Sequence, residues 1–232
     1  MRPQLYRRVL RRHSARFHGD LPAMKTICLT AGLALLALIA ILLVANAGNG
    51  SFTIHMIVHM GTVAFAAPLI AYAVAGAAQG PVLLLERVTP MPASLIELAV
   101  VWFWHAPALR TAADASIALS LLEQISFFAV GFLLWFACLQ PKEGRLAGAI
   151  GLLFTFMHMT LLGVLLALAP RPLYGEGEVT CFGIPLSAAA DQQLGGVFML
   201  VAGAFSYLIG GVILISGLLR EDRPIPVEKS RW

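Results

Sequence analysis

The chain has 232 residues, of which 59% are hydrophobic and only 12% are charged, and its formal net charge is +4. This composition excludes a soluble globular domain, because such long uncharged runs cannot be kept away from water in an ordinary soluble fold. Runs of about 20 apolar residues match the length at which an α-helix crosses a hydrocarbon core of about 30 Å. The sequence therefore predicts an all-α integral membrane protein, a polytopic transmembrane helix bundle.

Hydrophobic runs predict about six spans in one bundle. The third run is the shortest and contains Glu97 and Pro107, so a half-spanning helix would fit it as well as a full span. Pro68 and Pro107 predict kinks in the second and third spans. The spans form a single transmembrane domain over 26–219, between a basic segment at 1–25 and a tail at 220–232. The predicted spans are 26–45, 53–78, 94–109, 117–139, 146–169 and 193–219.

The placement of Lys and Arg predicts the orientation of the chain. With the amino terminus inside, the inner segments hold fourteen of the 16 basic residues, and the outer segments hold only Arg110 and Arg171. By the positive-inside rule both termini are then cytoplasmic, and the net charge needs no nucleic-acid partner. We expect a multi-pass protein of a bacterial-type inner (plasma) membrane, surrounded by membrane lipid.

The second span opens with two histidines, His55 and His59, each followed by a methionine, Met56 and Met60. A spacing of four residues places both imidazoles on one face of a helix, with the thioethers in the next row. Polar side chains at membrane depth commonly face the bundle interior and mark ion or substrate sites. Nitrogen and soft sulfur together favour copper over magnesium or calcium.

Further polar residues gather on the same side of the predicted bundle. His105 ends the third span, Glu123 lies near the start of the fourth, and Asp191 precedes the sixth, all on the outer side with His55. His158 lies near the middle of the fifth span, roughly 16 Å from its outer end at the helical rise. This distribution predicts one outward-facing site.

Each candidate also has a structural interpretation. A single membrane histidine commonly donates a hydrogen bond between helices, and His105 follows tryptophans typical of a membrane interface. Ser120 and Glu123 have the spacing of a capping box. Asp191 fits an amino-terminal helix cap.

Four runs of residues carry a resemblance to a known family. They are His55-Met-Ile-Val-His59-Met with Ala67-Pro68-Leu69, Trp104-His105-Ala-Pro107-Ala-Leu, Leu122-Glu123-Gln-Ile-Ser-Phe with Trp135 downstream, and Asp191-Gln-Gln-Leu-Gly-Gly. In this order they resemble the CtaG-type cytochrome c oxidase assembly factors, polytopic membrane proteins associated with supplying copper to the oxidase. The resemblance covers about 51–219.

The resemblance implies an assembly factor, not an enzyme, that binds copper(I) at the outer face and delivers it to a cytochrome c oxidase subunit. It implies that His55, His59, His105 and Glu123 occupy the family's polar positions, with Asp191 in the matching aspartate motif. The full set of candidate metal ligands is His55, Met56, His59, Met60, His105, Glu123, His158 and Asp191.

The chain departs from the family pattern around the glutamate. The family commonly has histidine three residues before and one residue after it, where this chain has Ser120 and Gln124. His158 and the methionines are the candidates to compensate for those ligands.

Two other functions remain open from the sequence. Histidines such as His59 and His158 are the usual axial ligands of a b-type haem, which would make the chain an electron-transfer protein. A transporter or structural subunit would use the same residues as polar contacts between helices. No catalytic pair and no cofactor-binding fingerprint stands in a credible context. A periplasmic copper donor, the receiving subunit, the metal stoichiometry and a homodimer are left open.

Overall fold

The computed structural model describes residues 3–46, 50–75, 88–140 and 144–221, with side chains from Pro22 to Leu219 within those ranges. These residues form a helical bundle with one short β-hairpin. The elements are α1 (Pro3–Ala45), α2 (Phe52–Met60), a π-helical segment (Gly61–Ala66), α3 (Ala67–Val74), α4 (Pro90–Trp104), α5 (Pro107–Asp114), α6 (Ile117–Leu139), α7 (Gly144–Ala167), β1 (Glu178–Cys181), β2 (Ile184–Ser187), α8 (Ala188–Gly203), a second π-helical segment (Ala204–Leu208) and α9 (Ile209–Glu221).

Five stretches of the described chain are long and apolar enough to cross a membrane, and α4 with α5 makes a sixth that is bent. The predicted all-α polytopic fold is therefore confirmed, and the predicted fourth span, 117–139, matches α6 at both ends. The five stretches are Pro22–Ala45, Phe52–Val74, Ile117–Leu139, Gly144–Ala167 and Ala188–Leu219.

Some predictions fall outside the described residues. These include the end of the second span at 76–78, most of the tail at 220–232, and basic residues behind the orientation such as Arg87 and Lys142. The cytoplasmic placement of both termini stays a prediction. The bundle end that holds Phe52, Trp104 and Ala188 is called the histidine end below.

The third predicted span is broken. The axes of α4 and α5 differ by 70°. Pro107, the first residue of α5, has no N–H to continue the helical ladder, and Ala106 before it is extended at φ −63° and ψ 129°. The predicted kink at Pro107 is thus confirmed, and it turns α5 across the histidine end of the bundle.

The second span and α7 form the centre of the bundle. About half of their membrane windows are buried, 56% and 50%, against 11% for the first span. Lys25 Nζ donates to the Ala75 carbonyl at 2.6 Å, so the ends of the first two spans meet opposite the histidine end. Because Pro68 cannot donate to the Ala64 carbonyl, that oxygen accepts instead from Ser206 Oγ at 2.5 Å.

A β-hairpin connects α7 to α8. Its strands pair antiparallel, and Cys181 lies opposite Ile184. The two turn residues, Phe182 and Gly183, have φ values of 48° and 82°, as a type I′ turn requires. The hydrophobic runs predict only a connection between the fifth and sixth spans here, so the hairpin is an addition to the predicted fold.

Candidate functional site

Two histidines lie on the buried face of α2. The rings of His55 and His59 are nearly parallel, with centroids 6.3 Å apart and 7° between their planes. His55 is 8% exposed and His59 is fully buried. The four-residue spacing therefore places both imidazoles on one face, as predicted.

The start of α2 is fixed by Asp191 from α8. Its carboxylate accepts from Phe52 N at 2.5 Å, Thr53 N at 3.3 Å and Ser51 Oγ at 2.9 Å. The first N–H groups of a helix have no partner within it, and a negative charge there is favourable. Asp191 thus positions the helix that carries the histidines. The prediction that it caps its own helix is wrong, because Ser187 caps α8.

His105 lies at the bend between α4 and α5, with its tautomer fixed by the backbone. Its Nδ1 is 2.7 Å from the Val101 carbonyl. A carbonyl only accepts, so Nδ1 carries the hydrogen and a neutral ring keeps its lone pair on Nε2. That nitrogen is buried and has no hydrogen-bond partner within the described residues. Histidines that bind metals commonly donate their other ring N–H to a backbone carbonyl in this way.

Tyr174 supports this bend from the loop after α7. Its hydroxyl donates to the His105 carbonyl at 2.7 Å, and its ring stacks on Phe52 at 4.3 Å. Burial raises the pKa of Tyr174, so the phenol stays protonated and remains a donor. The loop thereby holds the chain near His105 in place.

The three imidazoles converge, and we call His55, His59 and His105 the histidine cluster. The His105 ring centroid is 5.2 Å from that of His59 and 5.6 Å from that of His55. Phe127 of α6 closes the cluster, with its ring 4.1 Å from that of His59. Both nitrogens of His59 lack a hydrogen-bond partner among the described residues.

Arg110 of α5 lies beside this cluster in a buried ionic network. Its Nη1 lies 2.8 Å and 2.7 Å from the two carboxylate oxygens of Glu123, and 2.8 Å from His55 Nδ1. Its other nitrogens donate to Asp114, one turn later on α5. One cation therefore faces two carboxylates, and the network carries a net negative charge when all three groups are ionised.

Glu123 takes part in this ion pair instead of capping a helix. α6 begins at Ile117, and its N-cap is Ser116, whose side chain accepts from Leu119 N. The predicted capping box at Ser120 is therefore wrong. Glu123 lies inside the helix, fully buried, with its carboxylate turned towards α5.

The two methionines lie on a different side of α2. Both are fully buried. A Cβ built on Gly195 of α8 would lie 3.1 Å from Met56 Cγ, and one on Gly203 would lie 3.6 Å from Met60 Cε. The thioether side chains therefore pack along the glycine face of α8, about 100° around the helix from the imidazoles.

His158 lies apart from the histidine cluster. It is buried on α7, and both ring nitrogens lack hydrogen-bond partners within the described part of the chain. Its ring contacts Phe154, one turn earlier on the same helix, at a centroid distance of 5.8 Å. The structure does not bring it together with His55, His59 and His105.

A second buried polar group, which we call the Glu97 cluster, comprises Ser94, Glu97, Thr155 and Tyr207. Glu97 is fully buried on α4 and accepts from Thr155 Oγ1 at 3.1 Å and from Tyr207 OH at 3.2 Å. Ser94 and Thr155 share a further hydrogen bond of 2.5 Å. Glu97 precedes His105 by eight residues, about 12 Å along a helix. In the sequence, Glu97 indicated only that the third span is unusual.

A cleft of about 400 Å³ leads to the network from the histidine end. Its walls include Leu43 and Val44 of α1, and its polar lining includes His55, Arg110 and Glu123. Ser120 and Gln124 also line it, while His59 and His105 are not among its lining residues. His55 is therefore the cluster's histidine at the cleft.

Arg110 belongs to the candidate site but was not predicted as part of it, because in the sequence it counted only as a charge in an outer segment. The pattern that could have indicated it is the i, i+4 spacing of Arg110 and Asp114 in the segment that begins at Pro107. This spacing is typical of an ion pair on a short helix. Within the described ranges, no group of three or more His, Cys, Asp or Glu side chains is arranged to hold a metal ion. A metal would therefore require local rearrangement.

Comparison with known families gives a match over most of the chain. A family model described as "Cytochrome c oxidase caa3 assembly factor" matches residues 4–221. No curated protein and no solved structure matches the chain.

Proposed function

The chain belongs to the cytochrome c oxidase caa3 assembly factor family, and on that premise we propose that it binds copper(I) at the histidine cluster and passes it to an oxidase subunit. The protein acts as a carrier, with no catalytic step. Its partners are membrane lipid, the oxidase subunit and a periplasmic copper donor, and it works in the inner (plasma) membrane.

The observation that carries this proposal is the convergence of three buried imidazoles with unpartnered nitrogens. A buried polar atom without a partner costs about 1–3 kcal/mol, so a native fold keeps such atoms for a reason. His105 Nε2 presents a lone pair, and His59 presents one from whichever nitrogen lacks the hydrogen. Imidazole nitrogen is a common ligand of copper.

The charge around the cluster favours a cation. When all three groups are ionised, Glu123 and Asp114 together outweigh Arg110, and Asp114 is about half exposed, at 52%. An incoming cation therefore meets a net negative potential at the cleft before it reaches the buried rings. This polarity supports a metal cargo over an anionic one.

The open arrangement of the cluster suits transfer. A structural metal site closes its coordination shell with four ligands, whereas an exchange site keeps positions free for the partner's ligands. Here Ser120 and Gln124, at positions where the family resemblance implies histidine, line the cleft. This chain would then hold copper with fewer ligands at the mouth, which favours release. The thioethers of Met56 and Met60 are not part of the proposed ligand set.

Anaerobic titration of the purified full-length protein with copper(I) against a chromogenic chelator tests the proposal. We expect about one copper per chain and a Kd raised about tenfold or more by His59→Gln or His105→Gln, because each removes a ligand. His158→Gln is the matched control, a buried histidine away from the cluster, and its Kd should change less than threefold.

An absorbance spectrum of the same sample distinguishes the alternatives. A haem protein would show an intense Soret band that His59→Gln abolishes, which would replace the copper proposal by electron transfer. A protein with neither metal nor haem would act through polar contacts alone, as a transporter or structural subunit. Either result would overturn the copper carrier.

A further inference from the structure

Arg110 covers the lone pair of His55. Its Nη1 lies 2.8 Å from His55 Nδ1. A guanidinium only donates, so Nδ1 accepts and carries no hydrogen. In a neutral ring the hydrogen then lies on Nε2, 3.9 Å from Glu123 Oε1. His55 therefore offers no free lone pair in this state, in contrast to His105.

The hydrogen bond to His55 is the one that Arg110 can most easily lose. Nη1 has two hydrogens but three acceptors within 2.8 Å, namely His55 Nδ1 and the two oxygens of Glu123. Bonds to an ionised carboxylate are about twice as strong as bonds to a neutral acceptor. If His55 leaves, both hydrogens of Nη1 remain satisfied by Glu123, and Asp114 still holds the rest of the guanidinium.

His55 also stands between the cleft and the buried part of the cluster. The cleft is lined by His55, Arg110, Asp114 and Glu123 but not by His59. A cation that enters or leaves by this route passes His55 and Arg110, which both line the cleft. The competition is direct, since the cation and Arg110 use the same lone pair and no proton has to be released.

We propose that Arg110 is an exchangeable cap on His55. By cap we mean its hydrogen bond to His55 Nδ1, which is broken when copper(I) is taken up and re-forms when copper(I) is released. This inference rests on the proposed copper function and adds a regulating residue to that site. Arg110 acts through His55 and is a positioning residue, not a ligand. The proposed cargo is a soft monovalent cation that binds the lone pair of imidazole Nδ1. Silver(I) should therefore compete with Arg110 for His55 in the same way.

A double-mutant cycle tests the cap. The double variant Arg110→Gln, Glu123→Gln removes the cap without leaving a buried unpaired charge, and Glu123→Gln alone is its reference. Both proteins are measured once with His55 present and once with His55→Ala. Removing Arg110 should tighten copper(I) binding about tenfold and slow its release to a chelator when His55 is present. With His55→Ala the change should be at least fivefold smaller, because there is nothing left to uncap.

Arg110→Lys provides a second variant that keeps the ion pair and the charge. The compact ammonium of lysine, paired with the carboxylates, should cover His55 less well than the planar guanidinium of arginine. Copper(I) binding should therefore tighten by a smaller factor than in the double variant, and again only when His55 is present. ¹⁵N spectra of histidine-labelled protein without copper should show His55 protonated at Nε2 and His105 at Nδ1.

Two results would overturn the cap. An equal change with and without His55 would mean that Arg110 acts only through its charge, and weaker binding without Arg110 would mean that it supports the site. In both cases the wild-type protein still binds copper and the proposed function stands. A wild-type protein that binds no copper(I) would remove the proposed function and this inference together.

Discussion

The histidine cluster and the Glu97 cluster are both buried among apolar helices, but they differ in how their hydrogen bonds are satisfied. Both oxygens of Glu97 accept from neighbouring hydroxyls. The histidine cluster instead leaves ring nitrogens of His59 and His105 without partners among the described residues. A satisfied cluster joins helices, whereas an unsatisfied one has capacity left for a ligand.

The two clusters also differ in access and charge. The histidine cluster adjoins a cleft and an ionic network of Arg110, Glu123 and Asp114. Glu97 instead accepts hydrogen bonds from the hydroxyl groups of Thr155 and Tyr207 in the interior of the bundle. Burial alone therefore does not identify a functional polar group in a membrane protein. A buried nitrogen with an unused lone pair, together with a cleft that gives access to it, is a better indication of a ligand site.

Arg110→Met should give the largest effect on stability, a loss of about 3–5 kcal/mol in the free energy of unfolding, because Glu123 is left buried and unpaired. Unfolding in mixed detergent micelles measures it. Asp114→Asn is the control, since this exposed partner should cost less than about 1 kcal/mol. Equal losses in the two variants would show that Glu123 does not depend on Arg110.

Asp191→Ala should cost about 1–3 kcal/mol in the same assay, because the N–H groups of Phe52 and Thr53 lose their acceptor. Since the start of α2 also orients His55, copper(I) binding should weaken as well. Asp191→Asn retains an acceptor oxygen and should recover part of both. Normal stability with Asp191→Ala would contradict its role in positioning α2.

Tyr207→Phe should give the smallest effect, about 0.6 kcal/mol, the average for a hydrogen bond between membrane helices. Copper(I) affinity should be unchanged, because Tyr207 contacts Glu97 and not the histidine cluster. Tyr72→Phe on α3, a partly exposed tyrosine, serves as the matched control. If Tyr207→Phe lost copper binding, the two clusters would act as one functional unit, and the distinction between them would be wrong.

The sequence predicts the spans well because the bilayer imposes them. Every backbone N–H and C=O in the hydrocarbon core must be hydrogen-bonded, so a long apolar run forms a helix, as 117–139 shows. The shared face of His55 and His59 follows from helical periodicity in the same way. These features depend on neighbours along the chain.

Features that depend on contacts between distant segments were missed or misassigned. Ser120 and Glu123 match a capping box by spacing, yet the helix begins earlier at Ile117 and Glu123 pairs with Arg110. The packing of Met56 against Gly195 of α8, about 100° around α2 from His55, also depends on a distant segment, while its role as a ligand stays a prediction. The fold of α5 over the histidine end, which brings in Arg110, leaves little trace in a hydropathy pattern.

X-ray absorption at the copper edge, on wild-type protein loaded with one equivalent of copper(I), tests the central claim most directly. Binding by the histidine cluster predicts nitrogen neighbours with the outer-shell pattern of imidazole and no sulfur. His59→Gln should remove part of that pattern. Sulfur neighbours would place the ion at Met56 and Met60 instead, and failure to retain copper would contradict the account as a whole.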